Sequence, residues 1–303
     1  MVTGSGMKIL LFGGSGQLGY SLKMQAQDLN FELVAPVSSE VDISSLEQVL
    51  FLTKQLKPDL VVNCAAHTAI DKAEVQQEVC WRINHRGAAN VAQAVSLVGG
   101  RMIHISTEQV FPGTGTTPLR EGDPTGPLNV YGQSKLAGEQ DVLQILADRA
   151  LIVRTSALHG QRGVNFVSTM LKLFADKDEV RVVNDQKVSP TWAGWLAEVI
   201  LDLGRTGTSG VVHACCEGVT SWYDFACAIR DCSSLASSAP IKPVSSAEFG
   251  RPARRPSFSA FDCARLTSLL GRRPISWQEG LKRHLTEVGA LKAAGAGLKG
   301  KEL

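Results

Sequence analysis

The sequence predicts an α/β protein: a doubly wound, mostly parallel sheet with helices on both faces, followed by a smaller C-terminal lobe. Three observations carry the prediction. Strand-length apolar runs alternate with helix-length amphipathic stretches through the first half of the chain. Glycines crowd the junction between the first strand and the first helix, where the chain must turn tightly. After about residue 155 the alternation weakens, and stretches rich in Ser, Pro and Arg such as 237–256 take its place.

Lys8–Phe12, all but its first residue apolar, reads as a buried parallel strand, and the stretch from Gln17 to about Asp28 as the helix after it. Residues 31–36 form a second strand. Residues 45–56 place Leu46, Val49, Leu50, Leu52 and Leu56 at helical spacing, and Pro58 stops them. Residues 60–66 are another buried strand, 75–98 a helix and 101–106 the next strand. The Gly, Pro and Thr of residues 112–127 form a loop long enough to predict a functional segment over a site. A helix over 130–146 and a strand over 150–155 complete the regular part. Right-handed connections make the doubly wound order the default.

Composition excludes several classes. With 303 residues, 44% of them hydrophobic, the chain can bury a sizeable core. Lys and Arg number 31 against 29 acidic residues, a net charge of +2, which is no footprint for nucleic acid. No stretch approaches the roughly 20 apolar residues of a membrane helix, so the expected setting is cytoplasmic. The seven cysteines (Cys64, Cys80, Cys215, Cys216, Cys227, Cys232, Cys263) are odd in number and contain no Cys-x-x-Cys pair. They read as buried free thiols of a reducing compartment. No His, Asp, Glu or Cys grouping has metal-ligand spacing.

The glycine junction reads Gly13-Gly-Ser-Gly16-Gln-Leu-Gly19. Gly13 permits the turn, Gly16 lets backbone approach a pyrophosphate, and Gly19 lets helix and strand pack closely. The open helix N-terminus, at Gln17 and Leu18, offers N–H groups and partial positive charge to phosphate. This is a Rossmann-type dinucleotide site with the Gly-x-x-Gly-x-x-Gly spacing of short-chain dehydrogenase/reductase proteins. The second strand ends without an acid until Glu40, while Ser38 and Ser39 stand where a 2′-phosphate would be met. That favours NADPH, with NADH also expected to bind. Asp42-Ile43 resembles the pair that holds adenine in that superfamily.

Tyr131-Gly-Gln-Ser-Lys135 puts a phenol and an ammonium four residues apart on one helix face. A phenol with a pKa of about 10 exchanges protons poorly at neutral pH. A lysine beside it favours the phenolate and lowers that value, giving a proton donor for a carbonyl that accepts hydride. Thr107, at the end of the preceding strand, would bond the same carbonyl oxygen.

From Met7 to about Leu285 the chain resembles the dTDP-4-dehydrorhamnose reductase family. The motifs that carry the resemblance are Asn63-Cys-Ala-Ala-His-Thr-Ala-Ile-Asp71, Phe111-Pro-Gly-Thr-Gly115, Pro127-Leu-Asn-Val-Tyr131-Gly-Gln-Ser-Lys135, Asn184-Asp-Gln186, Ser221-Trp222-Tyr223 and Arg254-Arg-Pro256. The resemblance implies hydride transfer to C4 of a deoxysugar nucleotide, with Thr107, Tyr131 and Lys135 carrying the chemistry. It places Ala65, Ala66 and Thr68 beside the nicotinamide, Asn165, Phe166 and Arg255 at the nucleotide diphosphate, and Glu108 and Gln109 beside the sugar.

The chain departs from the family where Asp-Tyr is replaced by Glu108-Gln109, and where Trp and Tyr are replaced by Ala157 and His159. These positions are expected to face the sugar, so a related 4-keto deoxysugar is an alternative substrate. A dehydratase or epimerase is disfavoured because the amide of Gln109 cannot act as a base. A further alternative is a non-catalytic NADP-binding subunit resembling the regulatory subunit of methionine adenosyltransferase. The expected plan is a foreign leader at 1–6 and an NAD(P)-binding domain at 7–155, to which 186–214 return. A substrate-binding lobe spans mainly 156–290, with a flexible tail at 291–303. A nucleotide sugar is the expected partner, and a homodimer is compatible with the sequence.

Overall fold

The computed structural model describes residues 6–28, 31–235 and 239–292. The expected leader up to residue 5 and the expected tail from residue 293 lie outside the described residues.

Six parallel strands form the central sheet: β1 (Lys8–Phe12), β2 (Glu32–Val34), β3 (Leu60–Asn63), β4 (Arg101–Thr107), β5 (Ala150–Thr155) and β10 (Gly210–His213). Their order is β10-β5-β4-β3-β1-β2, so the chain starts near the middle and winds outward in both directions. Every pairing is parallel. The alternation within β1 decides its two faces. Ile9 and Leu11 pack with Val62, Ile103 and Val153 beneath α1 (Gln17–Asp28) and α8 (Ala193–Thr206). Leu10 and Phe12 pack with Val61, Met102 and Ile152 beneath α2 (Leu46–Leu56), α5 (Ala88–Val98) and α6 (Val130–Leu146). Each such side chain taken from water contributes about 1.5–3 kcal/mol, which is why strands apolar on both faces settle in the middle of the sheet.

β2 and β3 are shorter than their apolar runs. The expected 75–98 helix begins at α4 (Gln77–Trp81), after the short α3 (Ile70–Ala73), and passes through a π-helical turn, Arg82–Gly87, before α5. That turn is where α6 comes close: a Cβ on Gly138 would sit 2.4 Å from the Asn84 carbonyl oxygen. The sixth strand, β10, comes from beyond residue 155 and pairs with β5.

The remaining elements gather on a second core. It is built from α7 (Phe166–Asp176), the parallel pair of β7 (Val180–Val183) with β12 (Ile241–Val244), α9 (Trp222–Cys232) and α12 (Trp277–Glu287). Short pieces complete the chain: β6 (Leu158–His159) with β9 (Thr191–Trp192), β8 (Lys187–Val188) with β11 (Thr220–Ser221), α10 (Ser246–Phe249) and α11 (Ala264–Leu270). Among the described residues no helix is long and apolar enough to cross a membrane.

Candidate active site

The glycine turn is set by close approach. Gly13 has φ +82°, and a Cβ there would lie 2.5 Å from the Ala65 nitrogen. A Cβ on Gly19 would lie 2.2 Å from the Gly13 oxygen, so both positions demand glycine. A Cβ on Gly16 would meet only that oxygen, at 3.4 Å, and otherwise project into open space. That space is the edge of a cavity of about 760 Å³, lined here by Gly13, Gly16, Gln17, Leu18 and Gly19. Gln17 Oε1 is buried without a hydrogen-bond partner. The open helix N-terminus and the space in front of Gly16 fit a dinucleotide phosphate.

Ala66 and Thr68 line the same cavity, as do Thr107, Glu108, Gln109, Tyr131 and Lys135. Ser38, Ser39, Asp42, Ile43 and Ala65 are not part of its wall. Ser38 and Ser39 are exposed beyond β2. Asp42 bonds the Ser44 N–H at 2.9 Å, and Ile43 is a core residue against Gly87. The Ala65 N–H donates to Asn63.

Asn129 caps α6 by accepting from the Gly132 N–H at 2.8 Å, which fixes the first turn carrying Tyr131. Tyr131 and Lys135 then sit on successive turns, and Thr107 ends β4 next to them. The Thr107 hydroxyl lies beside the phenol and acts to lower it. Thr107 in turn donates to Glu108 Oε2 at 2.8 Å, Gln109 Nε2 donates to Glu108 Oε1 at 3.0 Å, and Asn129 donates to Gln109 Oε1 at 3.0 Å. Glu108 is buried, and that burial holds its carboxyl above the ordinary range despite these bonds and the charge of Arg255.

One electrostatic expectation is corrected. Lys135 does not lower the phenol in this state. Burial and the nearby Glu108 push Tyr131 up, and the lysine is turned elsewhere, donating to the Ile105 carbonyl at 2.7 Å with His104 Nε2 at 3.2 Å. Burial itself brings Lys135 down to about 8. In the free protein the Thr107 hydroxyl gives its hydrogen to Glu108.

At the far wall Arg255 is clamped by Asp71, Nη1 to Oδ1 at 3.0 Å and Nη2 to Oδ2 at 2.9 Å. Burial raises the Asp71 carboxyl, but Arg255 outweighs it and the group sits below its usual value. Asn165 lines the cavity while capping α7, and its amide donates to Gly160 O. Phe166 packs on Trp222 with ring centroids 4.6 Å apart. Arg251, one of the arginines clustered with Arg254 and Arg255 in the sequence, shares this wall with Arg181 and Phe249, which sequence reasoning did not single out. Sequence reasoning also passed over His104, a strand residue whose only signal is a polar side chain inside an apolar run.

Ala157 lines the cavity at φ +45°, but His159 does not reach it. His159 is 1% exposed, packed on Phe225, with Nδ1 2.9 Å from Nδ1 of His284, so the expected pocket position is overturned by the reach of α12. The loop at 112–127 contributes nothing to the cavity wall. It is pinned to residues 256–262 instead, through Phe258 N–H to Gly113 O and Leu119 N–H to Ala260 O. All seven cysteines are free thiols, but only Cys80, Cys215 and Cys216 are fully buried.

Comparison with known proteins agrees with this geometry. Residues 7–290 match the family model described as RmlD substrate binding domain. The spore coat polysaccharide biosynthesis protein SpsK of Bacillus subtilis is 38% identical, over 92% of this chain and 97% of that protein. The dTDP-4-dehydrorhamnose reductase of Escherichia coli K12 is 37% identical, over 93% of this chain and 98% of that one. The dTDP-4-dehydrorhamnose reductase of Bacillus anthracis, solved in complex with NADP, superposes with a TM-score of 0.89 at 35% identity, covering 93% of this chain and 99% of that one.

Proposed function

The chain belongs to the dTDP-4-dehydrorhamnose reductase family, and from that premise we propose that it is an NADPH-dependent oxidoreductase that reduces the C4 keto group of dTDP-4-dehydrorhamnose to give dTDP-L-rhamnose. One observation carries the reading: the glycine turn, Thr107, Tyr131 and Lys135 all open onto a single cavity. The nicotinamide supplies the hydride when bound. Tyr131 gives its phenolic proton to the C4 oxygen, and Thr107 holds the phenol in place. Lys135 holds the nicotinamide ribose beside Tyr131. Gly13, Gly16 and Gly19 with the first turn of α1 take the pyrophosphate. Arg255, held by Asp71 along its Nη1–Nη2 edge, meets the nucleotide diphosphate with the remaining Nε–Nη2 edge. Glu108, Gln109, Asn165 and Phe166 bound the sugar and nucleotide.

A second reading keeps the chemistry and changes the sugar. It is favoured by Ala157, whose small side chain lines the cavity where the family has tryptophan, and by Gln109, whose amide is engaged by Glu108 and Asn129. Coenzyme oxidation with enzymatically made dTDP-4-dehydrorhamnose tests both readings, with NADPH and NADH run side by side. The expected result is faster turnover with NADPH, lowered about 10²–10⁴-fold by Tyr131→Phe. Tight NADPH binding without turnover of this sugar, but with turnover of another 4-keto deoxysugar nucleotide, selects the second reading.

A further inference from the structure

Lys135 lies at the end of a buried hydrogen-bond chain that the reaction itself does not use. Asn63 and His104 are opposite each other on β3 and β4, exposed by 1% and 0%, and Lys135 reaches them from α6. The donors along this chain can be counted. The Ala65 N–H can only donate, and it donates to Asn63 at 3.1 Å, so the atom there is the amide oxygen. The amide nitrogen of Asn63 therefore faces His104 Nδ1, at 3.2 Å, and donates to it. A ring that accepts at Nδ1 and is neutral carries its hydrogen on Nε2. That Nε2–H points at Lys135 Nζ, 3.2 Å away. The remaining partner of Nζ, the Ile105 carbonyl at 2.7 Å, can only accept.

We propose that Asn63 fixes His104 as its Nε2–H tautomer, and that His104 thereby biases Lys135 toward the neutral amine in the free protein. A neutral amine satisfies every contact, with one hydrogen to Ile105 O and its lone pair to His104 Nε2–H. An ammonium has no lone pair and leaves two donors opposed. Turning the imidazole tautomer moves the conflict to Asn63, and turning the amide moves it to the Ala65 N–H. Each arrangement strands a buried polar group.

The surrounding charges agree. Burial holds His104 far below the usual imidazole range, so imidazolium is not an alternative. Around Lys135, Glu139 on α6 and the thiols Cys64 and Cys80 favour the ammonium, but burial outweighs them. Cys64 is pushed up to about 12 and remains a thiol, Tyr131 keeps its proton, and Glu139 is already paired with Arg154. Asn63 and His104 are thus positioning residues that set the charge of the lysine, and hence whether it can lower the phenol of Tyr131. The inference rests on the reductase reading only for that last consequence.

Nitrogen NMR of the imidazoles, in protein free of coenzyme and substrate, reads the tautomer directly. The chain has six histidines, and His104→Gln assigns the signal. Wild type is expected to show His104 protonated at Nε2 alone. Asn63→Asp, which accepts from both the Ala65 N–H and the ring, is expected to move the hydrogen to Nδ1 and keep the ammonium to higher pH. An Nδ1–H signal or an imidazolium in the wild type at neutral pH overturns the proposal without touching the reductase reading. NADPH affinity gives the second readout. It is expected to fall in the wild type by up to tenfold per pH unit above about 8, and in Asn63→Asp to hold to higher pH. The same pH profile in both proteins also overturns it.

Discussion

Glu108 shows how one carboxyl can work against the fold and still belong to the site. It is buried beside Thr107 and Gln109, and its pKa is raised, chiefly by burial. A carboxyl with a raised folded pKa favours the protonated native state. Its contribution to stability is therefore complete below the ordinary carboxylate value and is lost as pH rises through the folded one. Once pH has risen through the folded value, the wild type bears a desolvated charge that Glu108→Gln removes at nearly constant shape. The variant is expected to melt higher than wild type at neutral pH, with the gap closing in acid. Thermal melts at both ends decide it, and a variant less stable at neutral pH would contradict the assignment. Function pulls the other way, because the same carboxyl engages the hydroxyl next to Tyr131.

At the scale of elements, β5 and α6 are joined by a buried pair. Arg154 Nη2 lies 2.6 Å from Glu139 Oε2 and its Nε 2.9 Å from Oε1, with side chains 5% and 2% exposed, and the guanidinium stacks 5.0 Å over Phe111. Glu139→Ala strands that cation, and chemical denaturation is expected to show a loss of about 3–5 kcal/mol. A loss under about 1 kcal/mol would mean the pair is not holding α6 in place. The elements themselves were largely legible. The strands at 8–12 and 150–155 and the helix at 130–146 stand where apolar period and capping put them, because local pattern and tertiary burial agree there. The glycine turn and the tyrosine–lysine pair were legible for the same reason, since their spacing is local. What escaped was set by contacts remote in sequence. The π-helical turn answers to Gly138, and His159 finds its partner 125 residues away on α12.

The whole molecule carries a net charge of only +2, so its response to acid lies in the interior rather than in surface repulsion. His104, His159, His213 and His284 are buried, and burial depresses all four, His213 to about 3 and His284 to about 4. A histidine with a depressed folded pKa contributes stability that is complete above its ordinary value of 6.5 and is lost as pH falls from there through the folded value. Each such group removes up to about 1.4 kcal/mol per pH unit in that window. Urea midpoints are expected to be level above neutrality and to fall steeply below about 6.5. A midpoint unchanged down to about pH 5 would mean that these rings are not buried neutral.

In the proposed function, two cores meet around one cavity to bring a hydride and a proton to C4 of a deoxysugar nucleotide. The most direct test is the product formed from dTDP-4-dehydrorhamnose with NADPH deuterated at the transferred position, analysed by NMR. The expected product is dTDP-L-rhamnose with deuterium at C4, formed about 10²–10⁴-fold more slowly by Tyr131→Phe. Deuterium at another carbon, or a product that forms equally well without the Tyr131 hydroxyl, would contradict the proposed function.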